Sequence, residues 1–307
     1  MNNYLNDKLK YFPRRVADYL EGAFARPITA KIHITNRCQY KCFYCNKKND
    51  RAEINVDDRL LNRLKGLGVR SVILTGGEPL LHTKFNSLVY AMSDKFEVGV
   101  VTTLCEYNVC LQTEPQWVKV SLDTVDNNVY KKMKGLDNLD AVLENVRRLY
   151  KNKKEYVTLG VQAILCKYND NIHQILDIYH TVKNMCDYFQ IKPIESLELY
   201  PYTKNDYDML NDLRKYEKII VSDKFYFNKP QLSCPARWVH LVLDTDLDVV
   251  LCCSRTQEKI GNVFDTNILQ KIHEYRFDFS KCYRRCVMSG YNDYLRKLHD
   301  GKHKNFI

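Results

Sequence analysis

His33-Ile34-Thr35-Asn36-Arg37-Cys38-Gln39-Tyr40-Lys41-Cys42-Phe43-Tyr44-Cys45 reads as the end of a buried strand running into a loop with three thiols at Cys-x3-Cys-x2-Cys spacing. Soft thiolate ligands suit iron–sulfur clusters, and three on one short loop can hold three irons of a [4Fe–4S] cube. No fourth Cys follows closely, so one iron is left open, which points to chemistry rather than scaffolding. Taken alone, the spacing also fits a zinc knuckle or a group of structural thiols.

Outward from this loop, strands and helices alternate. Strands are expected at 31–35, 71–75, 97–103, 117–123, 156–165 and 188–192. Helices are expected at 57–67, 85–93, 130–133 with 139–150, and 172–183. Such alternation argues for a parallel sheet with right-handed crossovers. Successive side chains on a strand point to opposite faces. One face here is apolar, as in Ile32 and Ile34, Val72 and Leu74, Val118 and Val120. The other carries His33, Thr35, Thr75, Lys119, Ser121, Asp123, Gln162, Gln190 and Lys192. A filled barrel would turn branched apolar residues inward; a polar inner face predicts an open barrel that holds a substrate.

The second strand candidate ends in Thr75-Gly76-Gly77-Glu78-Pro79-Leu80. Two glycines let the backbone approach a ligand closely, and Glu-Pro fixes the turn. As a bare string this is only a turn signal. The fourth strand candidate ends in Ser121-Leu122-Asp123, and barrel active sites sit at such C-terminal strand ends. A helix-capping role is the competing reading of Asp123.

The thiol loop with Tyr44 before its last Cys, followed in order by Gly-Gly-Glu-Pro, resembles the radical S-adenosylmethionine (SAM) superfamily. The resemblance implies an α/β fold, a partial (β/α)6 TIM-like barrel. It implies that Cys38, Cys42 and Cys45 ligate a [4Fe–4S] cluster whose open iron is chelated by SAM. Tyr44 falls on the aromatic position near the adenine. Gly76, Gly77 and Glu78 fall on the motif that meets the methionine amino group, and Ser121 and Asp123 on groups meeting the SAM carboxylate or ribose. One electron from the cluster then cleaves SAM to methionine and a 5′-deoxyadenosyl radical, which takes a hydrogen atom from the substrate; the protein binds and orients. An electron donor such as flavodoxin or ferredoxin is implied. Gln162 and Lys192 touch SAM or substrate, or serve the fold. His33 and His82 read as ordinary hydrogen-bonded histidines. Cys105, Cys110, Cys166 and Cys186 read as small buried hydrophobes, with a thiol hydrogen donor at Cys105 as the alternative.

Near residue 222 the pattern changes. Cys234 precedes two β-rich runs around Asp244-Thr245-Asp246-Leu247-Asp248, the second ending in Cys252-Cys253. This reads as a hairpin that brings Cys234 and Cys252 together. Gly261-Asn262, a short helix around 268–272, and Cys282 and Cys286 follow. Four thiols in two pairs can close an iron–sulfur or a zinc site. The arrangement resembles the auxiliary-cluster extension of radical SAM enzymes, of twitch or SPASM type. That implies an auxiliary [4Fe–4S] cluster on Cys234, Cys252, Cys282 and Cys286. Leu247 departs from the SPASM pattern, which has Gly there. The chain runs 21 residues past Cys286 without another Cys, so one auxiliary cluster is expected rather than two. Adjacent strand residues point opposite ways; the family's hairpin spacing favours Cys252 over Cys253 as ligand.

The chain divides into a helical lead-in at 1–28, with Val16, Leu20 and Phe24 in one stripe, a barrel at 29–222, and an auxiliary-cluster domain at 223–307 ending in a basic, solvated tail. Its 47 basic and 37 acidic residues leave a formal charge of +10. That fits an anionic substrate such as a nucleotide, a sugar phosphate or an acidic peptide, and equally plain solubility. Basic residues form no block, so no DNA partner is expected. Twelve Cys exceed what a core of this size needs. With no apolar run of membrane length and no signal-peptide core, the expected compartment is a reducing cytosol. The substrate reading stays open between a sugar, nucleotide or other anionic small molecule and a peptide. Outside the enzyme class, a zinc-binding, nucleic-acid-contacting protein would explain the thiols and the charge. It would leave Gly-Gly-Glu-Pro and the polar inner face unexplained.

Overall fold

The computed structural model describes residues 6–22, 26–46, 49–194, 199–226, 233–282, 286 and 288–300. Helix α1 (Pro13–Leu20) leads into β1 (Thr29–Thr35), α2 (Asp58–Leu67), β2 (Ser71–Gly76), α3 (Phe85–Ser93) and β3 (Glu97–Thr102). Then come β4 (Trp117–Ser121), α4 (Asn127–Lys134), α5 (Leu139–Asn152), β5 (Thr158–Leu165), α6 (Ile172–Val182) and β6 (Tyr188–Pro193). Strands β1 to β6 pair in sequence order and all in parallel, as in the expected open barrel.

Local chemistry sets these elements. Asp57 caps α2 by accepting from the Leu60 amide, and Gly68 ends it at φ +97, a conformation other residues resist. Between them Leu60, Leu61, Leu64 and Leu67 form the buried stripe. The strands alternate as expected. On β2, β4 and β6 the outward residues Val72, Leu74, Val118, Val120, Phe189 and Ile191 are fully buried beneath the helices. Their inward neighbours are only partly covered.

Three features depart from the sequence expectations. Helix α7 (Lys204–Leu213) and β7 (Ile219–Val221) extend the barrel beyond β6. Strand β7 has three residues, too few to show a period; α7 carries a legible capping box, Thr203 with Asp206. Second, the hairpin of β8 (His240–Leu243) and β9 (Asp248–Cys252), with β10 (Arg255–Asn262), is continuous with the barrel sheet. Strand β8 lies parallel to β1, pairing Thr29 with His240 and Ile32 with Leu243. It covers the β1 edge that a partial barrel leaves open. Third, after α8 (Ile268–Glu274), the basic stretch from Arg296 begins inside α9 (Ser289–Asp300) rather than in a solvated tail. Leu295 of α9 is fully buried in a small cluster with Leu9, Tyr19, Ile28 and Val239, against which Val16 and Leu20 also pack. Phe24 and residues 301–307 lie outside the described residues. Among the described residues, no helix is long and apolar enough to cross a membrane.

Candidate active site

The thiol loop leaves β1 at the C-terminal mouth of the barrel and is held on three sides. The Asn49 side chain accepts from the Cys38 amide at 3.1 Å and donates to its carbonyl at 2.7 Å. The Lys41 and Phe43 amides donate to the carbonyls of Lys134 and Met133, at 2.8 and 3.1 Å. Gly77 and Glu78 donate their amides back to Thr35 and Arg37, at 2.7 and 2.8 Å. Cys38 and Cys42 are half-buried and Cys45 is exposed. Burial pushes the Cys38 thiol up to about 11, and Glu78, Cys42 and Cys45 crowd it with negative charge. Burial also raises Cys42, against the pull of the Lys134 ammonium. Metal binding displaces the protons of such thiols into solvent.

Gly76 and Gly77 are required by close approach. A Cβ on Gly76 would sit 2.2 Å from the Thr35 oxygen, and one on Gly77 2.2 Å from the Arg37 oxygen; Gly76 also has φ +139. The turn is thus pressed against the thiol loop. Glu78, 1% exposed, turns its carboxylate to the end of β3. One oxygen accepts from the Leu80 amide at 3.2 Å and from the Thr102 hydroxyl; the other accepts from the Thr103 amide at 2.8 Å and hydroxyl at 2.6 Å. Four donors fill the four lone-pair positions a carboxylate offers.

Asp123 and Tyr44 meet in the interior. The Tyr44 hydroxyl donates to Asp123 Oδ2 at 2.6 Å, and Oδ1 accepts from the Ile164 amide at 2.8 Å. The cap of α4 is Asp126 instead. Lys134 reaches the same point, its ammonium 2.6 Å from Asp123 Oδ2 and 2.8 Å from the Tyr44 oxygen. Burial works against the Lys134 charge, but Asp123 and Tyr44 outweigh it and hold its pKa above the ordinary lysine value. Sequence reading missed Lys134, since lysine reads as solvent-facing. The available signal was its position one turn after Tyr130, on the same buried face.

Below the mouth the lumen is lined by side chains in register. Gln162 donates to the Ser121 hydroxyl at 2.9 Å and accepts from Lys192 at 3.1 Å. One layer down, Lys119 donates to Gln190 at 3.1 Å. Its ammonium lies 5.6 and 5.7 Å from the ring centres of Trp117 and Tyr188. These rings form a floor. Each lies over a glycine of the neighbouring strand, Gly99 and Gly160, where a Cβ would come within 2.1 and 2.2 Å of them. A strand glycine opposite an aromatic is a readable sign of such packing. At the foot of β8, burial with Lys31 and Lys224 nearby lowers His240 to about 4, so it is neutral at physiological pH. His33 is buried on the inward face. His82 serves the fold: its Nδ1 accepts from the Lys84 amide at 3.1 Å and its Nε2 bonds the Ile54 carbonyl at 2.9 Å.

The C-terminal thiols converge at the other end of β1. Cys234 opens the turn before β8, and Cys252 ends the antiparallel β9. Burial raises Cys252, with added repulsion from Cys253, Cys234 and Cys286. Burial pushes Cys286 up to about 12 and Cys282 to about 11, each feeling Cys234. Asn292 donates to the Cys234 sulfur at 3.6 Å, and the Met288 amide to the Cys286 sulfur at 3.4 Å. All twelve cysteines are free thiols. Cys110, Cys166 and Cys186 are buried among apolar side chains. Cys105 accepts a hydrogen bond from Gln39 of the thiol loop.

Both thiol sets consist of soft sulfur donors, which suit iron–sulfur clusters and zinc alike. Among the described residues, the only His, Cys, Asp or Glu group whose ligand atoms all lie within 4.8 Å is Asp244, Asp246 and Asp248. That group holds Lys259, whose ammonium is 2.7 to 3.2 Å from each carboxylate.

Residues 32–182 match the model of the Radical SAM superfamily. With the thiol loop, the Gly-Gly-Glu turn and the parallel barrel in place, residues 32–182 carry the Radical SAM domain. Over 140 residues the chain is 33% identical to the GTP 3′,8-cyclase of Paracoccus denitrificans, covering 40% of this chain and 41% of that protein. Over 209 residues it is 26% identical to a protein of Sulfurisphaera tokodaii named "Probable GTP 3′,8-cyclase", covering 62% of each chain. These matches thus span less than two thirds of the curated relatives' own lengths. Streptococcus suis SuiB, solved bound to S-adenosylmethionine, superposes with a TM-score of 0.64 at 17% identity, over 91% of this chain and 75% of SuiB. That likeness is one of fold.

Proposed function

We propose that this chain is a radical SAM enzyme that takes a hydrogen atom from an anionic small molecule, such as a nucleotide or sugar phosphate, held in the barrel lumen. Cys38, Cys42 and Cys45 would hold the [4Fe–4S] cluster, and Gly76, Gly77, Ser121 and Gln162 would hold SAM. With SAM bound, the cluster supplies the electron that splits SAM and so the 5′-deoxyadenosyl radical. The chain's own residues shape the outcome. The Gly-Gly turn sets the depth of the mouth, Glu78 and Asp123 hold the walls, and the Trp117–Tyr188 floor closes the lumen beneath the reacting carbon. Cys234, Cys252, Cys282 and Cys286 would hold an auxiliary cluster, which would supply an acceptor for an electron given up by a substrate radical. The proximity of Cys252 to Cys234 and Cys286 supports Cys252 over Cys253. The chain divides functionally near residue 222, and a flavodoxin or ferredoxin of a reducing cytosol supplies the electrons.

The observation that carries the substrate class is the inward placement of Lys31, Lys119 and Lys192, on strands β1, β4 and β6 beneath the mouth. Cations in a low-dielectric cleft concentrate an anion. The relatives named as GTP 3′,8-cyclases agree with an anionic nucleotide. The test is anaerobic turnover with dithionite and SAM against nucleotides, sugar phosphates and short peptides. Phosphorylated compounds should accelerate 5′-deoxyadenosine release. Acceleration by peptides alone would replace this reading with that of a peptide maturase.

A further inference from the structure

Lys134 is a buried cation that sequence reading passes over and the proposed SAM site does not use. Its side chain and that of Asp123 are each 1% exposed and 2.6 Å apart. The Tyr44 hydroxyl bridges them, 2.8 Å from the ammonium and 2.6 Å from the carboxylate. The backbone adds to this. The last carbonyls of a helix lack partners within the helix, and those of Met133 and Lys134 take the amides of Phe43 and Lys41. Gly135 leaves α4 at φ +77, and a Cβ there would lie 3.2 Å from that of Lys41. The C-terminus of α4 is therefore docked on the middle of the thiol loop, with the Lys134 ammonium folded under Tyr44 and close to Cys42.

A buried ion pair adds little stability over an apolar pair of the same shape, because both ions must be desolvated. What the pair provides here is a fixed ring and a fixed positive charge. We propose that Lys134 is a positioning residue of the reductive site. It fixes the Tyr44 ring and the Cys42–Cys45 end of the loop, and it balances Asp123 so that no net negative charge stands beside the thiolate-held cluster. A cluster with an added anion at its edge is harder to reduce, and a loosened Tyr44 leaves SAM poorly placed. The inference rests on the reading that Cys38, Cys42 and Cys45 hold the cluster.

The test uses the full chain, reconstituted with iron and sulfide without oxygen, as Lys134→Met, Lys134→Arg and the double variant Asp123→Asn/Lys134→Met. The readouts are iron per chain, the EPR midpoint potential of the signal that shifts on adding SAM, and 5′-deoxyadenosine release. Lys134→Met should move the midpoint to more negative values and slow release at least tenfold. Lys134→Arg should recover both to within a few-fold. The double variant, neutral again, should recover the midpoint while release stays slow, because Tyr44 has lost its anchor. If Lys134→Met loses iron, recovery by Arg supports the proposal, and loss shared by all three variants overturns it in favour of packing alone. An unchanged midpoint and release rate in Lys134→Met also overturn it. A parent protein with no SAM-sensitive signal is a different failure, that of the cluster assignment itself.

Discussion

Glu78 shows how a single residue serves the site through the fold. Its carboxylate receives two amides and two hydroxyls and is closed to water. A Gln side chain has the same shape, but it turns two hydrogens toward donors. Glu78→Gln should therefore lower stability by about 1–3 kcal/mol, the cost of leaving a buried donor unmet. A denaturant midpoint equal to that of the parent would mean those donors do not converge on the carboxylate. The thiols give a simpler expectation. Changing Cys38, Cys42 and Cys45 together to Ala should abolish 5′-deoxyadenosine release and leave about four irons per chain, from the one remaining cube. Iron near zero in that variant would show that the two thiol sets are not independent.

At the scale of the element, the hairpin between β8 and β9 carries both its strain and its charge in five residues. Leu247 stands at φ +61, the left-handed region that favours glycine. Leu247 adopts there a conformation that a glycine would take without strain. Leu247→Gly should be tolerated, since relief of strain offsets lost packing. Leu247→Val, branched at Cβ, should cost about 1–3 kcal/mol. Equal thermal midpoints for the two would remove strain as the explanation. Beside it, burial pushes Asp248 up, but hydrogen bonds from Lys259 and Asn262 outweigh it and hold its pKa below the usual range. A lowered carboxylate pKa contributes stability above the unfolded value, about 3.9. That contribution is lost as pH falls through the folded value. Hydrogen exchange in β9 and β10 should thus accelerate on acidification below the usual carboxylate pKa. Lys259→Met should flatten that dependence, and an unaltered profile in the variant would exclude the ion network as its source.

Over the whole molecule, the two thiol sets lie at opposite ends of β1 with the polar lumen between them. That geometry makes the auxiliary ligands testable without substrate. Cys253→Ser should keep about eight irons per chain, and Cys252→Ser about four; the reverse result would put the hairpin register off by one. It also makes the lumen testable without chemistry. Trp117 lies at the floor beside Lys119, so an anion held there should change its fluorescence. Lys119→Met should weaken that response at least tenfold, while an unchanged response would place the anion elsewhere.

The strand–helix alternation, the inward polar face, the thiol loop and the hairpin were all legible in the sequence. Each is written in a short period or a local spacing, and burial enforces it: a one-residue slip would put Val118 and Val120 in the lumen. What tertiary structure alone decided is which polar groups are spent. Glu78 and Asp123 read as ligands of a small molecule, and their carboxylates also meet partners from distant segments: Thr102 and Thr103 lie 24 and 25 residues from Glu78, and Tyr44 and Lys134 lie 79 and 11 residues from Asp123. Gly76 and Gly77 read as room for a ligand, and they also make room for the Thr35–Arg37 backbone. Strand β8 joins β1 across more than 200 residues of chain. The physical reason is common to all of these. A side chain's type states what it can bond, but only the meeting of distant segments states what is there to bond it, and burial then forces every donor and acceptor to be matched.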